Sequence, residues 1–341
     1  MASLRKIAQL AGVSPSTVTR ALRNESRIGA ATRARIQALA EQYHYLPNRL
    51  TQNLMSGRSF ALGVLVPSVV TPYSSRMLAG ILESARQTGY RVIITESHAR
   101  PTDSLAAVQM FIEQRVDGIL LDTGHLEPLP RKTILEMRSQ RVIPIGLDAT
   151  AIAGEIDHVH TDEAALAAEA VDYLLHLGHV RIAFVGRTIH GQLAGRGLHL
   201  HQAFQRRLLS TRDFIDVKDA PPYANFSARA ILTRLLGQTQ PPTAIIAWED
   251  PLAAQLLTGA LQLGLNVPRD LSLLGFGNLP YAPLLTPPLT TYEQHPEQVG
   301  QQAFALFLRR VNVEETGEAL PCRSLAIHPT LMARGSCQPP R

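Results

Sequence analysis

A chain of 341 residues with 45% hydrophobic and 18% charged residues is long enough for about two domains and apolar enough to fill their cores, which excludes disorder. Its two cysteines, Cys322 and Cys337, cannot form a disulfide framework or a cysteine-ligated zinc site; no apolar run reaches the ~18 residues of a membrane span, and MASLRKIAQLAG is not a secretory signal, so a cytoplasmic location is expected. The net charge of +5 is uneven, because residues 1–60 carry nine Lys or Arg and two acids, a net of +7, leaving −2 for the rest; a basic head on a near-neutral body points to a polyanionic partner.

Leu4, Ile7, Ala8 and Ala11 recur at the spacing of a short amphipathic helix, with Ser3 placed to cap it and Gly12 to end it. Ser14-Pro15 starts a second helix, Ser as cap and Pro at the first helical position. Val18, Ala21 and Leu22 form its buried side. Pro15, Ser16, Thr17, Thr19, Arg20 and Arg23 lie opposite. A third stripe, Ile36, Leu39, Ala40 and Tyr43, closes a three-helix core. Two short helices joined by a Gly-containing turn, the second displaying hydroxyls and arginines, predict a helix-turn-helix.

AGVS-x-x-TV-x-R, then TR-x-R-I, then Y-x-PN, occur in that order, and with them the head resembles that of the lactose-repressor (LacI/GalR) family of bacterial transcription regulators. The resemblance implies that Pro15, Ser16 and Arg20 read bases, Arg20 pairing bidentately with guanine, while Thr17 and Thr19 meet phosphates. Lys6 stands where the family has an acid, and Gly29 where it has a capping Ser or Thr. After Pro47-Asn48 the family carries a hinge that turns helical on operator DNA and wedges a Leu into the minor groove; Leu54 matches that Leu. The usual Ala-Arg reads Thr51-Gln52 here, which implies that one basic contact is either lost or moved to Arg49.

The body alternates. Strands are expected at 61–67, 91–97, 116–121 and 142–148 with helices at 73–88, 103–114 and 132–139. The pattern recurs after a strand at 156–160: helix 162–177, strand 181–186, helices 192–208 and 224–237, strand 243–248, helix 251–263 and strand 272–276. Such alternation predicts parallel sheets with right-handed crossovers, and two like halves predict a cleft at the carboxyl ends of the strands.

VDGIL, LHLGHVRIAFVG, PPTAI, LGLNVPRDLSLLGFG and PPLTTYEQ extend the resemblance over about residues 3–336. The implied fold is an all-α helix-turn-helix head followed by an α/β two-lobed body like a periplasmic binding protein, with parallel sheets and helices on both faces. The implied division is 1–46 for the DNA-binding head, 47–60 for the hinge, 61–336 for effector binding and dimerisation, and 337–341 for a tail. Within the body, lobe 1 takes about 61–160 and 293–320, and lobe 2 about 161–290 and 321–336.

Four effector positions follow from the resemblance. Arg196 falls on the arginine that grips a hydroxyl or carboxylate. Glu249 replaces a ligand-contacting Asn, and Asp250 beside it is expected to cap the helix from Pro251. Gly277 replaces a sugar-binding Asp, and Tyr73 falls on a cleft-lining aromatic. With the acid at 277 gone and one gained at 249, Glu249 is the expected counter-charge of Arg196 when no ligand is bound. Asp162 reads as a helix cap.

Other chemistries find little support. Gly275-Phe276-Gly277-Asn278-Leu279-Pro280 lacks the third glycine of a dinucleotide fingerprint, and neither G-x-S-x-G nor a P-loop occurs. His158 and His160 share one strand face without further ligands, so no metal and no cofactor are expected. Cys322 is expected to be buried and Cys337 to lie in a loose tail. The expected protein is a DNA-binding repressor, not an enzyme. Its partners are pseudo-palindromic operator DNA, a small polar effector, a sugar or sugar derivative, and a second copy in a homodimer; no membrane is involved. The competing reading is a solute-binding protein of a transport system, which the body alone fits and the head does not.

Overall fold

The first two helices owe their ends to their capping residues. Helix α1 (Leu4–Ala11) begins where the Ser3 hydroxyl accepts the Lys6 N–H at 3.2 Å and stops at Gly12, whose φ of 63° suits a residue without Cβ. Helix α2 (Pro15–Leu22) is capped by Ser14, whose Oγ accepts the Thr17 N–H at 3.2 Å. Helix α3 (Ala30–Gln42) starts at Gly29 with no side-chain cap. Ile7, Ala8, Ala11, Val18, Ala21 and Ile36 form the head's own buried core. The Arg35 guanidinium donates to the Ala11 carbonyl, tying α3 to the end of α1.

The computed structural model describes residues 3–22, 27–44, 58–98, 100–122, 129–147, 155–186, 195–210, 214–216, 226–316 and 321–341. It divides into two compact units, 1–60 and 61–341. Arg23, Arg49 and Leu54, and with them residues 47–57 of the expected hinge, lie outside the described residues.

In the second unit the first sheet contains β1 (Ala61–Val66), β2 (Arg91–Glu96), β3 (Gly118–Asp122), β4 (Ile143–Leu147) and β5 (Asp157–Thr161). Helices α4 (Pro72–Thr88), α5 (Pro101–Glu113) and α6 (Arg131–Ser139) connect the first four strands. The second sheet is built from β6 (Ile182–Gly186), β7 (Phe214–Asp216), β8 (Ala244–Ala247), β9 (Ser272–Phe276) and β10 (Thr290–Glu293), with α7 (Glu163–His176), α8 (Arg196–Arg206), α9 (Ala228–Leu236) and α10 (Asp250–Gln262). Then follow α11 (Pro296–Thr316), β11 (Ser324–Ile327) and β12 (Thr330–Met332). The strand orders are β11-β5-β4-β3-β1-β2 and β12-β10-β9-β8-β6-β7. All pairings are parallel except β10 with β12.

Helices cover both faces, as the alternation predicts, and β1, β3, β4, β6, β8 and β9 are buried along their whole length. The apolar runs ALGVLV and GILLD reflect burial on both sides. Helix α11, for which the sequence patterns offered no boundaries, packs on α4 so closely that a Cβ at Gly80 would lie 2.1 Å from the Glu297 carbonyl oxygen and one at Gly300 2.2 Å from that of Met77.

The chain passes between lobes at three places: Thr161 to Glu163, Glu293 to Pro296, and Ile327 to Thr330. The third corrects the expected division. Residues 324–327 pair in parallel with β5 and belong to lobe 1, so the last crossing falls after Ile327 rather than at 320. The three passages are laced together: Asp162 N–H donates to the Ile327 carbonyl at 2.9 Å, the Thr161 hydroxyl to the Gln294 carbonyl at 3.4 Å, and His295 Nε2 meets Thr330 Oγ1 at 2.9 Å.

The tail and both cysteines also depart from expectation. Residues 337–341 are not loose: buried His179 holds the Gln338 carbonyl at 2.9 Å through Nε2, and Ser336 donates to the Leu273 carbonyl at 2.6 Å. Cys337 is half-buried and burial pushes its thiol up to about 12, whereas Cys322, expected inside, is exposed. The C-terminal segment satisfies backbone groups of β9, with Leu273 N–H donating to the Ser336 carbonyl at 2.8 Å, and this encloses Cys337.

Lobe 1 is locked by a buried ion pair. Asp157 on β5 accepts from Arg310 of α11 at 2.6 and 2.8 Å and from the Arg323 N–H at 2.6 Å. Burial pushes this carboxyl up, but those donors outweigh it and hold the carboxyl below its ordinary range. Arg310→Ala should therefore cost about 3 kcal/mol, because it leaves a buried charge unpaired, and should lower the urea midpoint at neutral pH. The stability from a depressed carboxyl is present above its ordinary pKa and lost as pH falls through the depressed one. The gap between wild type and variant should therefore narrow in acid.

Candidate functional site

The exposed side of α2 displays Pro15, Ser16 and Arg20, while Thr17 and Thr19 are half-buried. Ser14 Oγ lies 2.7 Å from Ser16 Oγ and 2.9 Å from Thr17 Oγ1, and the Thr19 hydroxyl donates to the Pro15 carbonyl at 3.1 Å. Ser16 and Arg20 are the exposed polar side chains of this helix, with Pro15 beside them.

The second site lies at the carboxyl edge of the second sheet, where α/β folds bind ligands. Arg196 opens α8 with its side chain only 9% exposed. Its Nε and Nη2 donate to the two carboxylate oxygens of Glu163 at 2.9 and 2.8 Å, and its Nη1 to the Trp248 carbonyl at 2.5 Å. The guanidinium lies over the Phe276 ring at 4.7 Å and the Trp248 ring at 5.5 Å, both distances at which cation–π attraction operates. Burial pushes the Arg196 pKa down, but Glu163, with Glu249 and Tyr73, more than offsets it and the net shift is upward.

The expected counter-charge is thus corrected: Glu163 at the start of α7 pairs with Arg196, and Glu249 acts on it only at longer range. The reason is geometric, since the first turns of α7 and α8 lie side by side and present a fork to a fork. Asp250 is corrected as well. Glu249 occupies the N-cap position of α10, without a side-chain cap bond, and Asp250 is the first helical residue. Asp250 is fully buried and accepts the Leu279 N–H at 2.8 Å and the Thr291 hydroxyl at 2.6 Å, fastening the turn after β9. Burial pushes its carboxyl up to about 6 despite those donors.

Gly277 contributes backbone. Its φ is +125°, its N–H donates to the Tyr292 carbonyl at 2.8 Å, and its own carbonyl accepts Arg76 Nη1 at 2.9 Å. Arg76 comes from α4 of the other lobe and also binds Glu293 at 3.1 Å and Glu297 at 2.6 Å. Tyr73, on the same helix, meets Thr161 Oγ1 at 3.1 Å. Thr161 donates to the Gln294 carbonyl at 3.4 Å, and Gln294 Nε2 donates to Glu163 at 3.2 Å. An unbroken polar chain therefore runs from α4, through two inter-lobe passages, to Arg196.

Sequence reasoning placed Tyr73, Arg196, Glu249 and Gly277 but missed Arg76, Thr161, Glu163, Trp248, Phe276 and Gln294. The usable signal was position: Glu163, Trp248 and Phe276 each stand at a strand end or helix start on the expected cleft edge. Asp162 caps α7 by accepting the Ala165 N–H at 2.9 Å. His158 and His160 stack at 4.9 Å, and burial lowers both pKa values, with His160 adding to the lowering at His158. Among the described residues no three His, Cys, Asp or Glu are grouped to hold a metal, and no helix is long and apolar enough to cross a membrane.

Comparison with known proteins gives the following. Residues 3–48 match the family described as bacterial regulatory proteins, lacI family, and residues 171–337 match the periplasmic binding protein-like domain. The HTH-type transcriptional repressor CytR of Escherichia coli (strain K12) is 31% identical over 320 residues, covering 93% of this chain and 92% of that protein. The HTH-type transcriptional repressor PurR of Pectobacterium carotovorum subsp. carotovorum (strain PC1) is 28% identical over 340 residues, covering 98% and 97%. Among solved structures, the lac repressor dimer bound to operator and the anti-inducer ONPF superposes with a TM-score of 0.82 at 23% identity, covering 99% of both chains.

Proposed function

We propose that this chain, which belongs to the lacI family of bacterial regulatory proteins, is a cytoplasmic, sequence-specific DNA-binding repressor whose operator affinity is set by a small polar effector in the cleft of its body. The observation that carries this reading is the capped helix-turn-helix with Ser16 and Arg20 outward, in a chain 31% identical to a repressor over almost its whole length. Residues 1–46 are the DNA-reading head, 47–60 the hinge and 61–336 the sensing body. Pro15, Ser16 and Arg20 face bases, Thr17, Thr19, Arg23 and Arg49 the backbone, and Leu54 the minor groove.

The effector meets Arg196, Glu249, Tyr73 and the backbone at Gly277, and a sugar or sugar derivative fits the hydroxyl-binding groups there. A single helix-turn-helix reads too few base pairs for useful specificity, so the working form is a homodimer on a pseudo-palindrome. Leu261 and Leu284 of lobe 2 are 76% and 80% exposed. Phe226, Ala228, Ala254, Thr258 and Gly259 line a groove between α9 and α10. Both features suit the subunit contact.

Selection of binding sites from random duplexes tests the reading. The expected product is a pseudo-palindrome bound by two chains, with affinity falling steeply as salt rises. Recovery of no common sequence would overturn specific recognition. Leu54→Ala is expected to reduce the operator bend in a circular-permutation gel shift; an unchanged bend would remove the wedge.

A further inference from the structure

The six strands of lobe 1 are all parallel and therefore begin along one edge of their sheet. The chain enters the body at that edge, because β1 starts at Ala61, the first residue of the second unit. Arg91 at the start of β2 is the register partner of Ala61, and the Asp117 N–H, just before β3, donates to the Ala61 carbonyl at 2.8 Å. DNA held by the head is thus tethered to this edge by residues 47–60, a span of at most about 50 Å when extended.

Arg91 at β2, Arg115 before β3, Arg141 before β4 and Arg323 before β11 are all exposed. In the strand order β11-β5-β4-β3-β1-β2 they reach from one side of the sheet to the other. That is about 24 Å at ~4.8 Å per strand, the length of roughly seven base pairs. The described acids in the turns leading into these strands are Asp117, Glu155 and Asp157. Asp157 is taken up by Arg310 and the Arg323 N–H, and Glu155 lies 3.5 Å from Arg131. Arg309 acts on Asp157 electrostatically, yet its Nη1 is enclosed with no hydrogen-bond partner. Positive charge exceeds what the described carboxylates of these turns take up.

Two of the arginines stand where the backbone favours a different residue. Arg115 and Arg141 follow α5 and α6 with φ of 53° and 60°, the left-handed conformation that ends a helix and suits glycine. Lobe 2, built on the same plan, has Gly178 after α7, Leu208 after α8 and Gly264 after α10, all at positive φ. Such turns accept glycine or an uncharged side chain, so their geometry does not account for arginine, whereas a polyanion facing this edge does.

We propose that the edge of lobe 1 at which its strands begin is a second, sequence-independent DNA contact, with Arg91, Arg115, Arg141 and Arg323 meeting phosphates that flank the operator. A row of guanidinium groups along a rigid sheet edge suits a row of phosphate oxygens. The contact reads no bases, so it adds affinity without adding discrimination. This rests on the head being a DNA reader.

The full-length chain carrying Arg91→Gln, Arg115→Asn, Arg141→Asn and Arg323→Gln tests it, asparagine being chosen because it tolerates the left-handed backbone. Fluorescence anisotropy over a salt series compares the selected operator alone, the operator with about ten further base pairs (one helical turn) on each side, and random duplex. Wild type is expected to bind the flanked operator more tightly than the bare one. The variant should lose that advantage, bind flanked operator and random duplex about tenfold more weakly, and show a salt slope smaller by about two or more, at ~0.9 per phosphate contact. Its preference for operator over random duplex should be unchanged. An unchanged slope and flank effect would overturn the proposal. A lowered melting temperature with unaltered binding would overturn it too, leaving the arginines as partners of the helix ends. A wild-type protein that prefers no duplex sequence would count against the head as a reader, and the salt slope on random duplex would still decide the edge. Should the quadruple variant not fold, Arg115→Asn with Arg141→Asn decides by the same slope.

Discussion

Arg20→Ala lowers affinity for the selected operator by about 1–3 kcal/mol, roughly 5- to 160-fold, and loses discrimination at one base pair in each half-site. Arg20 lies on the exposed side of α2, whose cap at Ser14 and buried residues Val18 and Ala21 fix the helix in the head. The substitution removes an exposed side chain and spares that core, so the head's fold should be unaffected. Binding measured on operator and on random duplex separates the roles. Unequal loss identifies a base contact, and equal loss on both, with a salt slope reduced by about one, would reassign Arg20 to a phosphate.

Arg196→Ala abolishes the effector response and also destabilises the body by about 3 kcal/mol. The second effect follows from the ion pair, since truncating Arg196 leaves Glu163 and the Trp248 carbonyl in a largely enclosed site without their donor, and an uncompensated buried charge is costly. DNA binding should persist below the lowered melting temperature, because the head has its own core. Two measurements keep the effects apart: thermal melting reads the lost pair, and operator affinity at increasing effector, taken well below the melt, reads the lost response. An Arg196→Ala protein that still responds to effector would remove this residue from the site. Arg196→Lys, which keeps the charge but not the fork, should recover part of the stability and little of the response.

The outline of the chain was legible because its signals are local. Ser3, Gly12 and Ser14-Pro15 act within one helical turn, so three or four residues suffice to place α1, α2 and the turn between them. The alternation of apolar runs with helical stripes placed the strands of both sheets, since burial on both faces leaves its mark in composition. Tyr73 and Arg196 were named by motif, and a hydrogen-bond chain through Thr161, Gln294 and Glu163 joins them. The short strand β7, the three strands after residue 286 and the bounds of α11 were not found: β7, β11 and β12 are edge strands, the interior strand β10 reads Thr290-Thr291-Tyr292-Glu293 without an apolar run, and a helix buried by another helix carries weaker periodicity.

The sequence by itself determined a basic helix-turn-helix ahead of a twofold α/β body, and that arginine belongs at position 196. Only the tertiary structure decided which carboxylate that arginine pairs with. Its partner Glu163 lies 33 residues away, and Gln294, which steadies Glu163, 131 residues further on. Glu163 and Glu249 carry the same carboxylate, so no property of either residue type distinguishes them. The selection comes from two helix starts standing side by side at a sheet edge, and from a chain that crosses three times between lobes and brings Thr161 and Gln294 to that edge. Caps and periodicities act over one turn, whereas the pairing of buried charges depends on which ends the packed sheets bring within hydrogen-bond distance.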